Sequence, residues 1–231
     1  MSDLTIFVNT HSSCDDLWPM FFGQLKKYWP NRPPCVVAAD DFPEFAGEPC
    51  VYDVAGDLVV DYSPAKRFTS QYLMGLCAVE TPYVLTLQED MILYGDVDVK
   101  LIAELTAPSQ FKTRCFRLID SGRNLNYSMQ ASIWDTRELQ RLCIDGACEL
   151  DHQGVEDTPW TAELAMHARA HPPLITDRRG LKRGRDHYDN PHFPYIATAL
   201  VKGAWNSEYR TELESLHAEY YIDASKRGWS E

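Results

Sequence analysis

Apolar and polar positions along this chain change period block by block, and the order of the blocks predicts a βαβ opening. Residues 4–9 (LTIFVN) are a β-branched and aromatic run that closes on small polar residues at 10–13, the pattern of a first strand opening into a loop. Asp15 or Asp16 is placed to cap the next helix, on which Leu17, Phe21, Phe22, Leu25 and Tyr28 recur near helical spacing until Trp29-Pro30 ends it. Residues 35–39 (CVVAA) read as a second strand buried on both faces, with Asp40 and Asp41 directly after it. Strand, helix, strand in that order begins a parallel sheet.

Residues 51–61 continue as a third strand region, with Gly56 marking a turn, and Ser63-Pro64 predicts a helix start whose buried stripe is Phe68, Tyr72, Leu73, Leu76 and Cys77. Residues 83–87 (YVLTL) are apolar except for Thr86 and predict an inner strand, because a half-exposed strand shows a polar residue at every second place. A short helix over 99–105 ends at Pro108, a strand covers 113–119, and 120–126 is a polar turn. Residues 127–135 (YSMQASIWD) lead into a helix carrying Arg137, Glu138, Leu139 and Leu142, and another helix opens at Trp160 and runs to His167 or Ala170. Residues 177–187 (DRRGLKRGRDH) hold five cations and two glycines and read as a loop. From Asn206 an amphipathic helix with Tyr209, Leu213, Leu216 and Tyr220 packs on the body. The prediction is an α/β fold with a mostly parallel central sheet flanked by helices.

Composition narrows the class. With 231 residues, 45% apolar and 24% charged, the chain fits one soluble globular domain with a large core. No apolar run approaches the roughly 18 residues of a membrane span, and no basic-then-apolar leader opens the chain, so a cytoplasmic setting without a transmembrane segment is expected. The seven cysteines are odd in number and lack CxxC spacing, which argues against a disulfide framework and a zinc cluster. A net charge of −12 opposes general nucleic-acid binding.

The candidate chemistry sits where the inner strand ends. Gln88, Glu89 and Asp90 follow the apolar run at once, and taking a carboxylate out of water without a partner costs several kcal/mol. A solvated strand end explains such a cluster; so does a ligand or cation bound at the carboxyl end of an α/β strand.

This segment, read with Met91, Ile92 and Leu93, resembles the DxD region of GT-A-fold glycosyltransferases in the variant form QED. The order of "QASIW", "PWTAE", a basic loop and "KGAW" after it resembles the family-2-like enzymes of bacterial polysaccharide type. The resemblance implies a single GT-A (Rossmann-like) domain over 1–231, with a nucleotide-binding half at about 1–98, an acceptor half at about 99–205 and a final helix at 206–228. It also implies Mn²⁺ or Mg²⁺ on Asp90, with Glu89 second and a histidine, His192 or else His187, completing the shell. A nucleoside-diphosphate-sugar donor would meet Asn9, Thr10, His11, Asp40 or Asp41, Arg67, Gln88, Glu89 and Lys202. Glu163, with Asp157 or Glu156 in reserve, would deprotonate a glycan, lipid-linked or other hydroxyl acceptor. Trp134 and Trp160 would stack on its sugar. The basic loop would close over the diphosphate.

Each assignment has a plain structural counterpart. Asn, Thr and Asp end strands because turns favour them, acids in a first helical turn complement the helix dipole, and a Trp closes a core. Two other functions share the pattern. A nucleotidyltransferase builds a similar sheet but carries a Gly-rich phosphate loop after its first strand, and Thr10-His11-Ser12-Ser13 has no glycine. A non-catalytic nucleotide-sugar or glycan-binding domain would tolerate Gln88 in place of an acid.

Overall fold

The computed structural model describes residues 3–41, 58–61, 67–107, 115–118, 126–175, 182–183 and 187–231. Strands β1 (Leu4–Asn9), β2 (Cys35–Ala39), β3 (Leu58–Asp61) and β4 (Tyr83–Gln88) are followed by the short β5 (Ile92–Leu93). Next come β6 (Cys115–Arg117), β7 (Ser132–Asp135) and β8 (Leu174–Ile175). All of these except β5 form one seven-stranded sheet in the order β3-β2-β1-β4-β7-β6-β8. Every neighbouring pair is parallel except those involving β7, which runs against both β4 and β6.

Burial on both faces explains why β1, β2 and β4 lack polar alternation. Leu4, Ile6, Val8, Leu85, Leu87 and Ile133 face helix α1 (Trp18–Tyr28) through Trp18, Phe21, Phe22 and Leu25. Phe7, Val36, Ala38, Val84 and Trp134 face the opposite way. There they meet α2 (Phe68–Leu76) through Tyr72 and Leu76, and a later helix through Leu139 and Leu142. Each such fully buried apolar side chain contributes about 1.5–3 kcal/mol relative to exposure. Gly75 lets α2 lie flat on the sheet: a Cβ there would stand 2.4 Å from the Phe7 ring and 2.8 Å from Ala38 Cβ.

Caps set the other helices. Asp98 accepts from Leu101 N at the start of α3 (Val99–Leu105), and Asp135 accepts from Glu138 N at the start of α4 (Thr136–Gln153), which Gly154 ends at φ 63°. Thr158 and Thr161 form a capping box on α5 (Pro159–His167), with Pro159 in its first turn.

Four boundaries differ from expectation. Helix α2 begins at Phe68 with Arg67 extended before it; Ser63, Pro64 and Gly56 lie outside the described residues. Much of the basic segment also lies outside them, but Lys182–Arg183 (β9) pairs antiparallel with His187–Tyr188 (β10), so this stretch contains a two-stranded ladder. Helix α6 covers only Arg210–Tyr220: Tyr221 adopts φ 56°, and the chain turns back so that Trp229 bridges Trp205. The helix therefore ends where its apolar spacing ends, at Tyr220, short of the 206–228 that the resemblance implied. Finally, β11 (Tyr195–Ile196) pairs with β5, and β12 (Leu200–Val201) pairs with β13 (Ala204–Trp205) across a Lys202-Gly203 turn with φ 51° and 82°. Positive φ at both central residues is the geometry of a tight hairpin. Among the described residues no helix is long and apolar enough to cross a membrane.

Candidate active site

The chain leaves β1 towards β2 and β3 on one side, and places β4 on the other. Where strand order reverses in this way, the loops separate and leave a crevice at the carboxyl ends of the two strands. Asn9 and Gln88, the last residues of β1 and β4, are register partners at that point. The loop after β1 and the turn after β4, closed by Met91 N donating to Gln88 O, form the walls.

Glu89 and Asp90 diverge from this turn. Glu89 accepts hydrogen bonds from Thr10 and from the Cys14 thiol, and the Thr10 hydroxyl in turn accepts from Trp18 Nε1 at 2.8 Å. Asp90 Oδ2 accepts from Thr198 Oγ1 at 2.6 Å, and the Leu200 N–H also donates to this carboxylate. Burial raises both carboxyl pKa values above their ordinary range, and for Glu89 the neighbouring charge of Asp90 raises it further. Burial, then Glu89, pushes the Cys14 thiol up to about 12. Two acceptors stand out: Asn9 Oδ1 and Asp90 Oδ1 are buried without a hydrogen-bond partner among the described residues. Leaving such an atom unsatisfied costs about 1–3 kcal/mol, so each calls for a water or a ligand.

The other predicted residues fall into groups. Asp40 lies against the β1 loop, where it accepts from Ser12 N at 2.6 Å, Ser12 Oγ at 2.9 Å and His11 Nε2 at 3.1 Å. Burial opposes its ionisation, but the Ser12 bonds and His11 outweigh it and hold its pKa below the usual value. Asp41 is exposed. Lys202 lines a cavity of about 470 Å³ with Ser13, Asp15, Asp16 and Arg227, on the same side as the β1 loop. Gln88 points elsewhere: its Nε2 lies 3.3 Å from Met129 Sδ, and Met129 N donates at 2.9 Å to Glu163 Oε1. Gln88 and Glu163 thus meet through Met129 on the opposite flank of β4. Trp160 is 53% exposed at the start of α5.

Four assignments are corrected. Trp134 is 2% exposed, in β7, and packs 5.5 Å from Tyr127, so it belongs to the core and offers no face to a sugar. Asp157 accepts from Thr69 N and Thr69 Oγ1 and serves the amino end of α2. Arg67 is exposed and ion-paired with Asp151 of α4, away from the carboxylates. His192 binds Asp98 at 2.9 Å at one end of the β5/β11 ribbon, whereas Asp90 and Ala199 close the other end. It is therefore not brought to Asp90.

Among the described residues, no group of three or more His, Cys, Asp or Glu side chains is arranged to hold a metal. The donor set still suits a hard divalent cation shared with a substrate. Such ions take oxygen ligands, and Mg²⁺ commonly binds through one or two carboxylates plus substrate phosphates rather than an all-protein cage. The site residues missed in the sequence are Cys14, Thr198 and Leu200. Thr198 lies 108 positions from Asp90, and no local pattern marks it.

No protein-family model and no curated protein matches the sequence. Solved structures do. The fold is GT-A-like. A cytidylyltransferase from Leptospira borgpetersenii matches with a TM-score of 0.51 at 12% identity, over 96% of this chain and 97% of its own. The glycosyltransferase GlyE of Streptococcus pneumoniae matches with 0.54 at 10% identity, over 75% of this chain and 44% of its own. TarS 1–349 of S. aureus gives 0.51 at 10%, over 96% and 67%. At these identities the GT-A-like likeness concerns the fold alone, which glycosyltransferases and cytidylyltransferases share.

Proposed function

We propose that the protein is a metal-dependent glycosyltransferase that moves a sugar from a nucleoside-diphosphate-sugar to a hydroxyl acceptor. The observation that carries this reading is the Glu89–Asp90 pair at the reversal point of the sheet, with Asp90 Oδ1 buried and without a partner among the described residues. Two neighbouring carboxylates that burial pushes towards neutrality, Glu89 further so by the charge of Asp90, are a poor structural device and a good cation site. Asp90 and Glu89 would hold Mn²⁺ or Mg²⁺, whose positive charge offsets that of the departing diphosphate. Asn9, Thr10, His11 and Asp40 would bound the nucleoside, and Lys202 would approach the phosphates from the hairpin. Glu163, across Met129 from Gln88, would take the proton of the acceptor hydroxyl, a role worth typically ~10²–10⁴-fold in rate. A base of this kind favours inversion at the anomeric carbon.

A specific observation weighs against nucleotidyl transfer. Phosphate loops present unengaged backbone N–H groups to the phosphate oxygens, whereas here Thr10 N donates to Ala38 O, Ser12 N to Asp40, Ser13 N to His11 Nδ1 and Cys14 N to His11 O. Four of the loop's N–H groups are thus engaged from within.

Titration calorimetry with UDP- and GDP-sugars, with and without Mn²⁺, tests the proposal. Binding that strengthens with Mn²⁺ and vanishes in Asp90→Ala is expected. Metal-indifferent binding points to a non-catalytic module, and Asp90→Ala with full transfer activity removes Asp90 from the role.

A further inference from the structure

The carboxylate pair is held from both sides by one segment distant in sequence. On one side Arg227 donates through Nε and Nη2 to both oxygens of Asp16, at 2.6 and 2.5 Å, and through Nη2 to Ser13 O at 2.7 Å. Its side chain is 15% exposed, and it also bonds the Cys14 thiol that touches Glu89. The same guanidinium reaches Gly203 O at 3.4 Å, in the turn between β12 and β13. On the other side, Asn206 Nδ2 donates to Thr198 O at 2.9 Å and Asn206 N to Ala199 O, behind the Thr198 hydroxyl that binds Asp90. Both arms share one base: Trp205 N donates to Gly228 O and accepts at its own carbonyl from Ser230 N.

A surface ion pair would not need this construction. An arginine fork fixes direction as well as distance, which a lysine cannot do. Here the fork lies 211 positions from its carboxylate and ties together the two loops that contact Glu89 and Asp90.

We propose that Arg227 is a positioning residue for the carboxylate pair, locking the Ser13–Asp16 turn, which carries Cys14 against Glu89, to the hairpin beside Asp90. The cation arm of the test rests on the glycosyltransferase reading; the geometry does not.

Two measurements on Arg227→Met, Arg227→Lys and Asp16→Asn test it. The first is calorimetric binding of Mn²⁺ alone, well below the melting temperature. The second is amide exchange at Met91, whose N–H donates to Gln88 O, and at Ala199, whose N–H donates to Asp90 O. Arg227→Met is expected to weaken Mn²⁺ about 10–100-fold, as loss of a partner behind a metal ligand does. Exchange at Met91 and Ala199 should quicken by about tenfold while the β1/β4 ladder stays protected, the mark of local opening rather than global loss of stability. Arg227→Lys should recover only part of either effect. Adding Asp16→Asn to Arg227→Met should add little, since both break one interaction. If Arg227→Met does not fold, Asp16→Asn alone breaks the pair and decides. Unchanged Mn²⁺ affinity with unchanged exchange overturns the proposal. If the unaltered protein binds no Mn²⁺, the cation reading fails and exchange alone judges Arg227.

Discussion

Replacing Asp90 with asparagine should stabilise the metal-free protein while destroying its site. Thr198 Oγ1 donates to Oδ2, the Leu200 N–H also donates to this carboxylate, and Oδ1 is the buried unpartnered atom. Asparagine can keep its carbonyl where the donors meet and place its amide at the bare position. What it removes is the charge that burial disfavours. The folded-state pKa values of both carboxyls lie above those of the unfolded chain, so the folded protein holds more protons in the window between them. Stability therefore falls as pH rises from the ordinary carboxylate range towards neutrality. Burial raises the Asp90 carboxyl from 3.8 to about 6, and since a tenfold change in acidity is worth about 1.4 kcal/mol the penalty is on the order of 3 kcal/mol. Urea unfolding should show Asp90→Asn more stable by about that amount at about pH 8, with the difference shrinking through the window between about 6 and 3.8 and nearly gone at about pH 3.5. Saturating Mn²⁺, at ~100 times its dissociation constant, should add about 2.7 kcal/mol to the unaltered protein and nothing to the variant. A variant less stable at the higher pH, or a difference that does not change with pH, would refute the reasoning.

Other outcomes follow from the same contacts. Asp157→Ala should lose about 1–2 kcal/mol in urea unfolding, as removal of a helix cap does, with donor binding retained. Trp134→Ala should cost about 3–5 kcal/mol, whereas Trp160→Ala should stay within about 0.5 kcal/mol yet raise the KM for acceptor in a transfer assay. His217 is 6% exposed, its ring nitrogens have no partner among the described residues, and Trp205 and Trp229 pack on it at 4.3 and 5.9 Å. Burial lowers its pKa, so its contribution is present above the ordinary imidazole value of about 6.5 and lost as pH falls through the lowered one. His217→Phe should flatten that acid limb in unfolding experiments across it.

The parts of the fold legible in the sequence are those that local patterning controls. β1, β2 and β4 declare themselves as unbroken apolar runs because helices cover both faces of the sheet. The acids after β4 are legible for the same reason, since the end of a buried run is where polar groups must find partners. Composition could not tell a core Trp from an exposed one: Trp134 and Trp160 differ only in that the first lies on a strand whose outward face meets α2 and α4. In the sequence Asp157 resembles a base because an acid beside a helix start looks alike whether it serves its own helix or, as here, another's. Thr198 and Arg227 were invisible because their partners lie 108 and 211 positions away.

The end of β4 works as a junction because its last three polar residues diverge. Gln88 reaches Met129 and, through it, the flank of Glu163; Glu89 reaches Thr10 and Cys14; Asp90 reaches Thr198. A strand would send alternate side chains to opposite faces, but the Met91-to-Gln88 turn breaks that alternation and spreads three neighbours over three separate segments. In this arrangement Gln88 is not a defective carboxylate. An acid at 88 would set a third negative charge beside two carboxylates that burial already pushes towards neutrality, and would give up the amide directed at Met129. On the proposed glycosyltransferase reading, Glu89 and Asp90 would serve the cation and the Gln88 amide the flank of Glu163.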